Sequence, residues 1–317
     1  MSSPTPRVSS LPPHLDPPLA LATASLAIGS RFPHVRTEGL THLGSGWDFD
    51  AFLTTDGWVF RFPRRAECAV TLDTERRLHD LVARVLPSTV AVPAVELEGQ
   101  PGSEFPYRFT GYRFIRGVRA DTVGSRVLSV TARSIGQALG AIHGVPESDA
   151  RAAGVREMEM DDPGRQRWLD ERITGTAALR GIDVVVDRAV DWVRDNARRP
   201  SAAFPGPRRL IHDDLSPEHL LVDSETGDLV GIIDWSDAAL GDPARDFAPL
   251  VAWHGWSFTD DAVRNYPHRI DRGFRGRLRF MARVLSVLWL AEAREWTPDV
   301  VDDVAMHVRW VHNVFAD

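Results

Sequence analysis

The rhythm of apolar and polar positions changes about a third of the way along the 317-residue chain. Early on it is short. "LTHLGSGWDFDAFLTTDGWVFRF", within residues 37–62, reads as strand, glycine turn, strand, "TTDG" turn and strand. Asp-Gly between β-type runs is a hairpin signal. Two further strands are predicted near 92–98 and 107–115, joined through "EGQPGSEFP". Helical spacing appears near 19–29 and over 71–86, where Leu72, Leu78, Leu81, Val82 and Val85 recur on one face.

After Gly117 the longer period dominates. Helices are predicted over 130–145, in "DDPGRQRWLDERI", in "VVDRAVDWVRDNA" and through most of the chain beyond 243. Three short extended pieces interrupt them: "RRLIHDDL", "HLLVD" and "LVGIID", the last two joined by the turn "SETG". The pattern predicts an α+β protein of two parts, a sheet-rich 1–115 and a helix-rich 116–317, with the boundary in "FIRGV". Residues 1–18 are Ser- and Pro-rich and read as loose. No repeat or low-complexity tract is present.

Composition narrows the class. Apolar residues make up 43% and charged residues 26%, ordinary for a globular protein. A net charge of −7 argues against a nucleic-acid partner. No apolar run is long enough to span a membrane, and "LALATASLAIGS" reads as a packed first helix rather than a leader, with Asp16 and several prolines before it. A lone cysteine, Cys68, excludes an intrachain disulfide and fits a reducing, cytoplasmic setting. All 37 basic residues are arginine. The sequence says nothing of oligomeric state.

The candidate chemistry lies in three stretches. In "LGSGWDFDAFL", Gly44, Ser45 and Gly46 could make a tight turn whose backbone N–H groups face a phosphate, although many hairpins carry Gly-x-Gly. In "GWVFRFPRR", Arg61 ends a strand, and Glu75 follows on the next helix; they could pair, or be an exposed arginine and a solvated glutamate. Arg64 is a second candidate cation. The third stretch is "LIHDDLSPEHLLVD", with the skeleton His212-x-Asp214-x4-His219, then 14 residues to Asp234 in "GIIDW". A loop carboxylate can orient a hydroxyl for in-line attack. A second at the end of a strand can bind Mg2+ on nucleotide phosphates. A polar surface loop and a zinc site are the competing readings; the first leaves an acid after the apolar run "LVGII" unexplained, and the second lacks H-x-x-x-H spacing or a nearby cysteine.

Together, "HDDLSPEHLLVD", "GIIDWSDAALGDPARDFA" and "AIHGVP" resemble the aminoglycoside phosphotransferase superfamily, kinases with a protein-kinase-like fold of two lobes. The resemblance covers most of 37–250. It implies an N-lobe of antiparallel sheet plus helix and a mainly helical C-lobe. It implies Asp214 as catalytic base or hydroxyl-orienting acid, Asp234 as the Mg2+ ligand, and Gly44, Ser45, Gly46 and Arg61, with Glu75 as its helix partner, around the nucleotide. "GYRFIRG" would be the hinge that meets the purine, with Tyr112, Phe114 and Ile115. His212, Asp242 and Asp246 would brace the loops. Two positions depart from the family: Arg61 stands for lysine, and His219 for the asparagine that binds a second metal.

That histidine, with "GWDF", "RFPRR" and "IIDWSDA", is similar to the macrolide phosphotransferase branch. The branch implies an antibiotic kinase that confers resistance by phosphorylating a macrolide amino-sugar hydroxyl, with GTP or ATP as donor. The alternatives are a kinase of the same fold acting on an aminoglycoside, a peptide antibiotic or a metabolite, and an inactive nucleotide-binding pseudokinase. The acceptor site is expected near 160–200 and after 250, among Trp253, Trp256, Trp289, Trp296 and Trp310 and the acids Asp260, Asp261, Asp299, Asp302 and Asp303.

Overall fold

A computed structural model describes residues 17–158, 163–198, 204–296 and 301–315. The loose stretch expected at 1–18 lies almost wholly outside these residues, as do Asp299 and the side chain of Trp296. The chain divides into two compact units. One takes the described chain up to Asp80 and Val92–Ile115; the other takes Leu81–Ala91 and everything from Arg116.

In the first unit α1 (Leu21–Arg31) precedes β1 (Thr41–Ser45), β2 (Phe49–Leu53) and β3 (Trp58–Pro63); α2 (Ala66–Ala83), β4 (Val95–Gly99) and β5 (Phe109–Arg113) follow. The strands form one antiparallel sheet in the order β1-β2-β3-β5-β4. The "TTDG" turn forms as read: Gly57 takes φ +85°, a conformation open to glycine. Every residue of β3 is buried, so both faces of the sheet are covered. Phe60 and Phe62 alternate onto one face with Phe52 and Phe109, against Ala24, Ala27 and Ile28 of α1. Phe62 stacks on Phe109 at 4.4 Å between ring centroids. Each such buried ring contributes about 2 kcal/mol through its apolar area alone. Arg61 falls on the opposite face, where Phe49 packs with Cys68 and Leu72 of α2. Burial, followed by the Asp48 carboxylate, pushes the Cys68 thiol up, so this cysteine is not activated.

The second unit is mainly helical: α3 (Leu128–His143), α4 (Glu147–Ala153), α5 (Pro163–Gly175), α6 (Val184–Asn196), α7 (Ala244–Arg264), α8 (Phe274–Trp296) and α9 (Val301–Phe315). Its core interleaves Val186, Val190 and Val193 of α6 with Leu288 and Leu290 of α8 and Val311 of α9. Among the described residues six short strands run between the helices: β6 (Val118–Arg119), β7 (Arg156–Glu157), β8 (Arg209–Ile211), β9 (Leu220–Val222), β10 (Leu229–Ile232) and β11 (Ala239–Gly241). They form two three-stranded sheets, β10-β9-β6 and β7-β11-β8. The sequence pattern gave β8, β9 and β10 but not the two-residue strands β6 and β7 or the short β11, which are too brief to show a period. Ala91 exchanges backbone hydrogen bonds with Val230 and Ile232, which ties Leu81–Ala91 to this unit.

Helix α7 is bent. Gly255 has φ +78° and ψ −176°, far from helical values. The bend frees carbonyls on the preceding turn, and Asn313 Nδ2 of α9 donates to two of them, Ala252 O at 2.8 Å and Trp253 O at 3.2 Å. Among the described residues no helix is long and apolar enough to cross a membrane.

Candidate active site

In the first unit, strand alternation sends Arg61 toward α2, where a buried guanidinium requires a partner. Glu75 supplies it: Arg61 Nη1 donates to Glu75 Oε1, and their side chains are 8% and 6% exposed. The guanidinium also lies 4.1 Å from the centroid of the Phe49 ring. His79 Nε2 is 3.8 Å from the same Glu75 oxygen. Arg64, the rival cation, is held by Asp50 at 2.8 Å and is likewise buried. Tyr112 is buried and lines a narrow recess with Arg61, Glu75, His79 and Thr110. Beyond it Phe114 is 43% exposed and Ile115 half-buried, and the Phe114 N–H is taken by Gly57 O at 2.9 Å.

A tight turn forms between β1 and β2 at Gly46, and its backbone does not require glycine. It is closed by Gly46 N donating to Phe49 O at 2.9 Å, and β1 carries a bulge between His42 and Gly44. Neither Gly44 nor Gly46 is among the residues with positive φ. A Cβ at Gly44 would meet nothing within 4 Å, and at Gly46 only the Phe49 carbonyl oxygen at 3.8 Å. The fold itself therefore tolerates side chains here. Ser45 is buried, with Oγ 2.9 Å from His42 Nε2.

In the second unit two loops meet. One runs from β8 to β9 and holds Asp214 and His219; the other follows β10 and holds Asp234. A short hairpin turn joins β9 to β10, where Asp223 Oδ1 accepts from Glu225 N and Thr226 N, both at 2.9 Å, and Gly227 takes φ +78°. The loops are pinned together at Ile233: its N–H donates to His219 O at 2.9 Å, and its carbonyl accepts from His212 Nε2 at 3.0 Å. His212 is buried against Trp235, and burial, reinforced by the His219 charge, lowers it to about 4, so its ring is neutral at physiological pH.

The three side chains selected by spacing converge. His219 Nδ1 donates to the Asp214 carbonyl at 2.8 Å and lies 3.4 Å from Asp214 Oδ2; His219 Nε2 is 3.6 Å from Asp234 Oδ2. The Asp214 and Asp234 side chains are each 39% exposed, the imidazole 14%. Desolvation opposes a charged imidazole, but the Asp214, Asp234 and Glu218 carboxylates outweigh it and hold His219 above its ordinary value. Desolvation pushes Asp214 up, against the pull of His219 and with the push of Asp237, Asp234 and Glu218; its partial exposure moderates the rise. Asp234 takes φ +60°, and Ser236 Oγ donates to its Oδ1 at 2.9 Å.

Two acids of "GDPARD" lie behind these loops. Asp246 is buried: Oδ2 accepts from His212 N at 2.9 Å and His143 Nε2 at 3.0 Å, and Oδ1 from Asp213 N at 3.0 Å. Burial would raise Asp246, but the hydrogen bond and charge of His143 lead a set of partners that hold it below the usual carboxylate range. Asp242 Oδ1 accepts from Ala244 N at 3.0 Å at the start of α7, and Oδ2 from the buried Arg277 at 2.5 Å. Sequence reasoning missed His143, Arg245 and Arg277. Their partners are 103, 32 and 35 residues away, too far for any local spacing to reveal.

The expected acceptor aromatics and acids are largely engaged in the second unit itself. Trp253 and Trp310 are buried, Trp289 meets Trp310 edge-on, and Arg275 and Arg279 lie over Trp256. Asp260 pairs with Arg275, Asp261 with Arg264, and His307 is 3.8 Å from Asp303.

The family model described as "Phosphotransferase enzyme family" (APH) matches residues 39–294. An uncharacterized protein of Bacillus subtilis (strain 168), YcbJ, is 26% identical over 230 residues, which cover 67% of this chain and 70% of that protein. The GDP complex of wild-type aminoglycoside 2'-phosphotransferase-IIIa superposes with a TM-score of 0.70 at 22% identity, covering 94% of this chain and 99% of that one. The apoenzyme of macrolide 2'-phosphotransferase MphH from Brachybacterium faecium superposes with a TM-score of 0.58 at 22% identity, covering 92% and 97%. At these identities the structural likeness concerns the fold. It is the α+β fold implied by the resemblance: an antiparallel N-terminal sheet and a helical C-terminal part.

Proposed function

Because the chain belongs to the phosphotransferase enzyme family, we propose that it transfers the γ-phosphoryl group of GTP or ATP to a hydroxyl on the amino sugar of a macrolide antibiotic. The observation that carries this reading is the convergence of Asp214, His219 and Asp234 from two pinned loops, with both carboxylates still open to solvent. Asp214 accepts the acceptor's hydroxyl proton, or orients that hydroxyl for in-line attack. Arg61 stands in for lysine toward the phosphates, fixed by Glu75. Phe114, an exposed apolar side chain at the end of β5, suits the face of a purine.

Asp234 is the proposed Mg2+ ligand. Among the described residues no group of three or more His, Cys, Asp or Glu side chains forms a ready-made cage. Mg2+ needs none, since it is usually held by one or two carboxylates together with water and phosphate oxygens, and the solvent-open oxygens of Asp234 and Asp214 fit that demand. When bound, Mg2+ supplies charge neutralisation across the transferring phosphates. His219 is a poorer ligand for a hard cation than asparagine oxygen would be, and its Nε2 is equally suited to meet a phosphate.

The macrolide branch rests on His219 and the "GWDF", "RFPRR" and "IIDWSDA" stretches. A second reading, an aminoglycoside acceptor, is favoured by Glu218 and Asp237, which act on Asp214 and are 51% and 56% exposed. Their pairing with Arg119 and Arg156 weakens that acidic rim. The test crosses GTP and ATP against macrolides, aminoglycosides and a no-acceptor control, with Mg2+. Macrolide-dependent turnover is expected. Transfer to aminoglycosides alone would replace the acceptor, and nucleotide binding without turnover on any acceptor would favour the pseudokinase.

A further inference from the structure

Among the described residues only two non-glycine residues have positive φ, Asp234 at +60° and Asp213 at +65°. Asp213 directly precedes Asp214 and has no part in the mechanism above. An L-residue enters the left-handed region against a clash between its Cβ and the following carbonyl oxygen, so the surroundings must hold it there. Two contacts from the first turn of α7 do so. Asp213 N donates to Asp246 Oδ1 at 3.0 Å, which fixes the direction of the peptide. The Asp213 carboxylate, 5% exposed, accepts from Arg245 Nε, while Arg156 Nη2 stands 4.0 Å from its other oxygen. Arg245 is itself 16% exposed. A cation in the first turn of a helix works against the helix dipole, and the Asp213 carboxylate offsets it. The pair therefore has a local cost on each side, a strained backbone on one and a misplaced charge on the other, and each relieves its partner's.

We propose that Asp213 and Arg245 form a positioning pair: Arg245 holds the Asp213 carboxylate, and with it the left-handed backbone that turns Asp214 toward His219 and Asp234. Neither residue meets the reacting atoms; both act through Asp214, so this inference rests on the reading of Asp214 given above. Asp246 fixes the peptide N–H from one side, and Arg245 fixes the side chain from the other, so the turn at Asp213 is determined from both ends. Loss of Arg245 would free the residue to relax toward negative φ and swing Asp214 away from its neighbours.

The test compares Arg245→Ala with two double variants, Asp213→Gly/Arg245→Ala and Asp213→Ala/Arg245→Ala, in the full chain. Each is measured for kcat and nucleotide KM on the acceptor that turns over, and for its thermal unfolding midpoint. Arg245→Ala is expected to lower kcat about 10- to 100-fold, with nucleotide KM within about 2-fold of the parent. Glycine adopts this φ without penalty, so Gly at 213 is expected to restore kcat to within about 3-fold; alanine carries the penalty and is expected to restore nothing. Arg245→Lys keeps the charge and replaces Arg245→Ala should the latter not fold; it is expected to lose about 10-fold and to be brought back to within about 3-fold by the same glycine. Full activity without Arg245, or equal behaviour of the Gly and Ala doubles, overturns the pair. The midpoints follow the same order and are read on any folded sample. A parent chain that turns over no acceptor would sink the reading of Asp214, and the order of the midpoints would then decide the pair alone.

Discussion

The charge centre of the first unit and that of the second are built on opposite plans. Arg61 and Glu75 are one cation and one anion, shut away from water with 8% and 6% of their side chains exposed. Asp214 and Asp234 are two like charges that share the His219 imidazole and keep 39% of their side chains open. A closed pair satisfies itself. An open pair of carboxylates repels and persists only where the surrounding fold enforces it, which in the second unit falls to Asp246, the Ile233 hydrogen bonds and the left-handed turns at Asp213 and Asp234. The difference lies in what maintains each centre: the first is held by its own pairing, the second by the fold around it.

The closed pair carries the largest expected effect. Glu75→Ala leaves a buried arginine without its carboxylate and is expected to cost about 3 to 5 kcal/mol of stability, read as a lower denaturation midpoint in urea. An effect under about 1 kcal/mol would mean that the pair is already hydrated. Next is Asp246→Asn. Asparagine cannot accept from all three donors, so about 3 kcal/mol is expected to be lost at neutral pH. The acid dependence sharpens this test. Asp246 is held below its unfolded value, so its contribution is fully present above about pH 4 and is lost as pH falls through the folded value. Stability measured from pH 7 to pH 2 is therefore expected to fall more gently at the acid end in the Asn variant than in the parent.

From the open side, Asp214→Ala is expected to retain the fold and nucleotide binding while kcat drops about 100-fold or more, about 2.7 kcal/mol of barrier. An unchanged rate would reassign the base. The smallest effect is expected at Gly44. Alanine there meets no neighbour within 4 Å and needs no unusual φ, so stability should stay within about 0.5 kcal/mol of the parent. A raised nucleotide KM in the same variant would show that the space at Gly44 is kept for a phosphate. An unchanged KM would leave the glycine without that role.

How much of this was legible beforehand depended on distance along the chain. Periodicity gave the helices at 19–29, 71–86 and 130–145 within a few residues of α1, α2 and α3, and the hairpin strands of the first unit. The spacing H-x-D-x4-H and the acid after "LVGII" selected the three side chains that the loops bring together, because a loop and a hairpin are local objects. The supports were not legible. The bonds from His143 to Asp246 and from Arg277 to Asp242 link segments whose proximity is set only by helix packing. Arg245 had no local clue, because its partner Asp213 is 32 residues away and the sequence does not display φ. Gly-x-Gly signalled a turn, but only the surrounding atoms reveal that the fold makes no steric demand for glycine there. Leu81–Ala91 falls with the second unit, where Ala91 makes strand-like hydrogen bonds, although the helical spacing over 71–86 runs across that boundary without a break.

The bend at Gly255 sets an order of events. The carbonyls it frees at Ala252 and Trp253 are met by Asn313, which lies 61 and 60 residues further on. A ribosome adding about 5 to 20 residues per second needs roughly 3 to 12 s to supply that donor after the bend has emerged. During that interval the first half of α7 lacks the side chain that meets those two carbonyls, and the helix core with α9 is not yet closed. The second unit thus waits for α9, and a ribosome stalled anywhere in those sixty residues leaves α7 without the Asn313 contacts at its bend.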